Sequence, residues 1–201
     1  MKKVLLTLAA LMFVASSAQA QLRAFTGTLH NKGETRILLW DSAAGKPAAE
    51  VALSYGRPAW KKDYEAPGAL DSITKGKLWR AGQNFFTNLD TNVPITIGGQ
   101  DVLVGHYYVA IQRSADGANW MLAFIDPAST RSMIVDASEV GADRGSSLTV
   151  KFTAPLTFQK TTGTTTNLDM MFTTNPDDVT KSLLQIKWGQ FELNAPVVVK
   201  L

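Results

Sequence analysis

Apolar and polar residues alternate with a period of two along most of this chain, the pattern of strands that bury one face. Val51, Leu53 and Tyr55 alternate with Ala52, Ser54 and Gly56. Val93, Ile95 and Ile97 repeat the pattern and run into Gly98-Gly99, a pair that tolerates positive φ in a turn. Tyr107, Val109 and Ile111 share one face, with His106, Tyr108 and Gln112 on the other. Asp116-Gly117 then predicts a hairpin into Trp120, Leu122 and Phe124. Leu148, Val150 and Phe152 alternate in the same way, as do Leu168, Met170 and Phe172, and Val197, Val199 and Leu201.

One strand changes face partway. Leu184, Ile186 and Trp188 share a parity that Phe191 and Leu193 do not, and Gly189 sits at the switch. A residue inserted there makes a β-bulge, so Leu183 to Leu193 reads as one long bent strand.

Helical periodicity is weak. The best stretch is Asp126 to Asp143, where Asp126-Pro127 can open a short turn of helix. The run Thr161-Thr162-Gly163-Thr164-Thr165-Thr166 reads as a loop between two strands. The least strand-like region is Arg57 to Gly76, which contains Pro58, Trp60, Tyr64 and Pro67. A loop longer than about 12–15 residues in a compact domain is usually functional or disordered, and its rings argue against plain disorder. About ten short strands punctuated by turns predict an all-β fold. The expected architecture is a single-domain antiparallel β-sandwich, jelly-roll-like or a related barrel, with at most one or two short helical turns.

The first twenty residues belong to a different kind of segment. Lys2 and Lys3 precede the apolar run Val4 to Val14, and Ala18-Gln19-Ala20 forms an A-x-A cleavage site. This is the pattern of a secretory signal peptide, and the apolar run is too short to span a membrane. Cleavage after Ala20 leaves 181 of the 201 residues, expected to fold as one domain, 21–201, in the periplasm or outside the cell. The chain has no Cys, so neither a lipid anchor at the cleavage site nor a disulfide is expected, and the fold must rest on its core.

Charge excludes one class of partner. Of 20 Lys and Arg residues two lie in the leader, leaving 18 against 17 Asp and Glu, close to neutrality. There is no basic stripe, so nucleic-acid binding is not expected.

The densest chemistry lies in Gly76-Lys77-Leu78-Trp79-Arg80-Ala81-Gly82-Gln83-Asn84, with two cations, an indole and two amides. Together with Ser54-Tyr55-Gly56-Arg57-Pro58, the turn Thr96 to Gly99 and Gly105-His106-Tyr107-Tyr108, it resembles the DUF2911 family over about Ala49 to Leu193. The family's elements are Y-x-R-P, G-K-x-W-R-x-G-A-N and a G-x-Y strand. Gln83 departs from the family's Ala, and His106-Tyr107 from its Thr-Tyr. The resemblance implies a β-rich envelope domain and carries no established activity.

The candidate ligand-binding residues are Tyr55, Arg57, Trp60, Tyr64, Lys77, Arg80, Asn84 and His106. Arg57 and Arg80 can clamp a carboxylate or phosphate, or can pair with structural carboxylates such as Asp41 or Asp71. Trp60 and Tyr64 can stack on a sugar or aromatic ligand beside Asp63 and Glu65, or can cover the open end of the sandwich. With His30 and His106 alone a three-histidine metal site is impossible, and His106 reads as a rim residue. Asn88 to Asn92 begins like a calcium loop, but Val93 and Gly99 stand where Gly and Glu are needed. There is no G-x-S-x-G, H-E-x-x-H, G-x-G-x-x-G or P-loop, and no cofactor, metal or catalytic residue is assigned. A carboxylate pair such as Asp63 with Asp71 satisfies no spacing rule, because the requirement is spatial.

The expected role is a non-enzymatic envelope module binding a small polar molecule or glycan. Its site would lie where the Tyr55–Arg57 strand end, the long loop and Lys77 to Asn84 converge. The alternatives are a small hydrolase of an envelope carbohydrate or ester, using His106 and a loop carboxylate, and a structural or partner-binding domain.

Overall fold

The computed structural model describes residues 31–130, apart from Asn84, and 148–201. The leader, His30, Asn84 and the part of the expected helical stretch beyond Thr130 therefore lie outside the described residues. Ten antiparallel strands form the fold among the described residues. They are β1 (Lys32–Asp41), β2 (Lys46–Gly56), β3 (Leu78–Trp79), β4 (Thr87–Thr91), β5 (Ile95–Ile97), β6 (Gln100–Val102), β7 (Gly105–Arg113), β8 (Trp120–Ile125), β9 (Val150–Asn175) and β10 (Asp178–Val199). The strand order is β1-β2-β4-β7-β8-β9-β10-β5-β6, with β3 added beside β7.

The long strand β9 converts this path into two layers. Its first residues, Val150 to Leu156, pair with β8. Thr157 and the residues beyond it pair with β10 instead. At its far end β10 leaves β9 and pairs Val197–Val199 with β5. The inward faces of both layers meet in one apolar core, which draws on Val51 and Leu53, Leu89, Ile111, Phe124, Leu168, Ile186 and Val197. This is an all-β sandwich built on the alternation legible in the chain.

Where alternation fails, a bulge explains it. Gly189 has φ 60, and the β9–β10 register slips on both sides of it. Trp188 and Phe191 are both buried as a result. A second slip lies between Phe124 and Ile125, and it turns Val150 and Phe152 onto opposite faces. The common face expected for Leu148, Val150 and Phe152 is thus not found. Leu201 lies past the end of β10 and is exposed, unlike Val197 and Val199.

The Thr-rich run is a correction. Residues 161–166 are not a loop but lie inside β9, opposite the Gly189 bulge. Thr is β-branched and favours extended backbone, and a strand with both faces wet shows no alternation to read. Helical turns occur at Lys62–Glu65, Ala69–Thr74 and Pro127–Thr130. Two of them lie in the Arg57–Gly76 region, where the sequence pattern indicated none. No helix among the described residues is long and apolar enough to cross a membrane.

Side chains seal the seam between the first strands and β9. Met170 and Phe172 pair with β10 on one side, and on the other side no named strand among the described residues borders the stretch from Leu168 to Phe172. The Arg57 Nε donates to the Leu168 carbonyl at 3.1 Å. The Tyr55 hydroxyl accepts from the Met170 N–H at 2.8 Å and lies 3.1 Å from the Met170 carbonyl. The Thr35 hydroxyl accepts from the Phe172 N–H at 2.9 Å. Three side chains at two-residue intervals along β9 thereby satisfy an otherwise open strand edge.

Candidate functional site

The chain leaving β2 determines the site. After Gly56 it runs beside β9, with Leu168 N–H donating to the Pro58 carbonyl at 2.9 Å and Trp60 N–H to the Thr166 carbonyl at 2.7 Å. That course sets the Trp60 indole over Gly189, and a β-carbon on that glycine would fall 2.3 Å from the ring. Trp60 then contacts Tyr64, Trp188 and Phe191 edge-on, with centroids 5.3, 5.1 and 6.1 Å away. The turn Lys62–Glu65 returns the Glu65 carboxylate to the Trp60 Nε1, which donates to it at 3.1 Å.

The other end of the loop is tied down by Asp71. Its carboxylate accepts from Arg113 Nη1 at 2.7 Å and lies 2.8 Å from Lys75 Nζ. The Lys75 ammonium, and then Arg113, hold the Asp71 carboxyl below the usual carboxylate range. Arg113 also donates to the Thr74 hydroxyl and the Gly117 carbonyl, and its guanidinium lies 4.6 Å over the Trp120 ring. Trp120 stacks in turn on Phe158, 5.4 Å away and nearly parallel.

Between the loop and the β9–β10 hairpin lies a cavity of about 320 Å³. Trp60, Tyr64, Phe158 and Phe191 supply its rings. Its polar rim is Glu65, Asp71, Lys160 and Gln190, and Leu70 and Pro67 complete the loop side. Small-ligand sites have this composition, a mostly apolar lining with a few polar groups, and run from roughly 300 Å³ upward.

Of the candidates read from the sequence, Trp60 and Tyr64 line this cavity, and Glu65, read as a neighbouring acceptor, joins them. Tyr55, Arg57, Lys77, Arg80 and His106 do not. Tyr55 and Arg57 belong to the β9 seam, where Arg57 Nη2 also meets Asp169 at 3.3 Å. Burial pushes the Tyr55 phenol up, and its hydrogen bond to Met170 opposes this. The carboxylate that meets Arg57 is thus Asp169, not Asp41 or Asp71.

Lys77 donates to the Ser72 carbonyl, and Arg80 Nε to the Gly82 carbonyl at 3.2 Å. His106 faces Asp90 across neighbouring strands at 3.6 Å and packs edge-on to Tyr108. Asn88 to Thr91 lie in β4, paired with β7. The three segments meet by packing behind the cavity. Trp79 stacks on Trp188 at 5.0 Å, Trp188 Nε1 donates to the Pro58 carbonyl at 3.0 Å, and the Gln83 backbone lies against Gly56. Trp79 and Gln83 therefore brace the wall behind Trp60.

The residues that sequence reasoning missed are Phe158, Lys160, Gln190 and Phe191. Only the β9–β10 register brings Phe158 opposite Leu193 and Lys160 opposite Phe191, about a hundred residues from the loop that they meet. Chemically the cavity can stack a flat or puckered ring and hydrogen-bond its edge. Asp71 is a poor candidate for a general acid, which needs a raised pKa.

No protein of curated function and no solved structure matches the chain. The model of a family described as proteins of unknown function, DUF2911, matches residues 41–197, and the chain belongs to that family.

Proposed function

We propose that this protein is an exported, single-domain binding module, 21–201, that holds a small polar molecule or glycan and performs no chemistry on it. The reading of export rests on the Lys2-Lys3 n-region, the apolar run to Val14 and the Ala18-Gln19-Ala20 site, with the periplasm or the exterior as destination. The observation that carries the binding reading is the cavity of about 320 Å³ walled by Trp60, Tyr64, Phe158 and Phe191 with polar groups at its rim. Phe158 is 40 % exposed although it stacks on Trp120, so part of its ring is open in the cavity that it lines.

A hydrolase needs an acid and a base converging on one reacting bond. His106 does not line the cavity, and the cavity's Asp71 is committed to Lys75 and Arg113. Both facts favour binding over catalysis.

The test is a titration of the purified chain with soluble envelope glycan fragments, followed by tryptophan emission. Saturable change is expected, lost in Phe158→Ala while the melting midpoint stays within a few degrees. Absence of any response, or binding untouched in Phe158→Ala, sinks the reading.

A further inference from the structure

The rim of the cavity is electrically lopsided in a way that selects among polar ligands. Its two carboxylates already have partners. Asp71 is met by both Lys75 and Arg113, and Glu65 accepts the Trp60 Nε1–H. The two remaining polar groups are the Lys160 ammonium, which only donates, and the Gln190 amide, which can donate or accept, and neither is paired with a protein group among the described residues. Lys160 stands two residues along β9 from Phe158, on the same side of the strand, and directly opposite Phe191. A ring lying on Phe158 thus has an ammonium beside its edge. Lys160 is the one cation of the lining among the described residues, and the charge of Asp71, one of the two carboxylates there, is balanced by Lys75 and Arg113 behind it.

From this arrangement we infer that the ligand is an anionic pyranose, a sugar ring bearing a carboxylate or a phosphate. The apolar face of the ring stacks on Phe158, and the anionic group takes the charge-assisted bond from Lys160. Gln190 serves a ring hydroxyl. The inference rests on the binding reading above and specifies its ligand. A neutral sugar would leave the Lys160 charge unused. A cationic ligand would meet Lys160 directly, with the neighbouring carboxylates already engaged.

The experiment compares glucose, glucuronic acid and glucose 6-phosphate by ligand-observed NMR and calorimetry on the purified chain. At least one anion is expected to bind about tenfold or more tighter than glucose, the scale of one charge-assisted hydrogen bond. Preference for glucuronic acid assigns a carboxylate sugar, and preference for glucose 6-phosphate a phosphorylated one. Lys160→Gln should reduce the preference to within about threefold, with the melting midpoint unchanged. Lys160 is exposed, so this variant is expected to fold. Equal binding of all three sugars, or a preference that survives Lys160→Gln, overturns the inference and leaves the binding reading intact. No binding of any of them overturns both.

Discussion

The indole of Trp60 occupies the space that a side chain on Gly189 would need. A β-carbon there would lie 2.3 Å from Trp60 Cδ2, and the glycine has φ 60. One position thus lets β10 change face and lets the cavity wall close on it. Gly189→Val combines a left-handed backbone with a β-branched side chain and a collision with the indole, so it should cost at least about 2 kcal/mol. Urea melts measure it, and an unchanged midpoint would refute the bulge assignment. In a Gly189→Ala background, Trp60→Ala should recover the collision component and not the backbone component, a coupling that a double-mutant cycle isolates.

The Tyr55 hydroxyl does for Met170 what a neighbouring strand does elsewhere. It accepts the Met170 N–H at 2.8 Å and sits 3.1 Å from the Met170 carbonyl. Met170 is 3 % exposed, so water is poorly placed to replace it. Tyr55→Phe should cost about 1–3 kcal/mol, the range for a buried polar group left unsatisfied. Amide exchange at Met170 should accelerate well beyond that of its neighbours. Equal protection in both proteins counts against the seam.

Arg57 separates the structural role from the ligand role. Its contacts are Leu168 and Asp169, and it does not line the cavity. Arg57→Met should lower stability by about 1 kcal/mol, modest because the pair is one-third exposed and screened. Ligand affinity should be unaffected. Intact stability with lost binding would move the site to the seam.

The strands, the face switch at Gly189 and the inward Tyr55 with its polar partner were legible because each depends on local parity. So was the need of Arg57 for an acceptor, since a strand-end guanidinium cannot stay buried alone. Half of the cavity was not legible. Trp60 and Tyr64 announce themselves in a loop, but Phe158 ends the alternating run Val150, Phe152, Ala154, Leu156 and so reads as core, Lys160 opens the polar run that follows, and their partner Phe191 also reads simply as core. Arg113 was missed for a related reason. It looks like a strand-end cation, and its value comes from Asp71, Thr74 and Trp120, distant elements that only the fold assembles.

The loop latch gives a prediction in acid. Lys75, and then Arg113, depress the Asp71 carboxyl below its ordinary value of about 3.9. A folded-state value that is depressed means stabilisation present in full above the ordinary carboxylate value and lost as pH falls through the depressed one. At neutral pH Asp71→Asn should therefore melt below the wild type. The gap between the two midpoints should hold down to about pH 4 and narrow below it as the wild-type carboxylate takes up its proton. Melting both proteins from pH 7 to pH 2 measures this directly. Because Asp71 anchors the segment that carries Leu70 and roofs the cavity, the same variant should weaken ligand binding at pH 7 without abolishing it. A gap that widens as pH falls would mean that Asp71 is raised rather than depressed, and the latch would have to be reassigned.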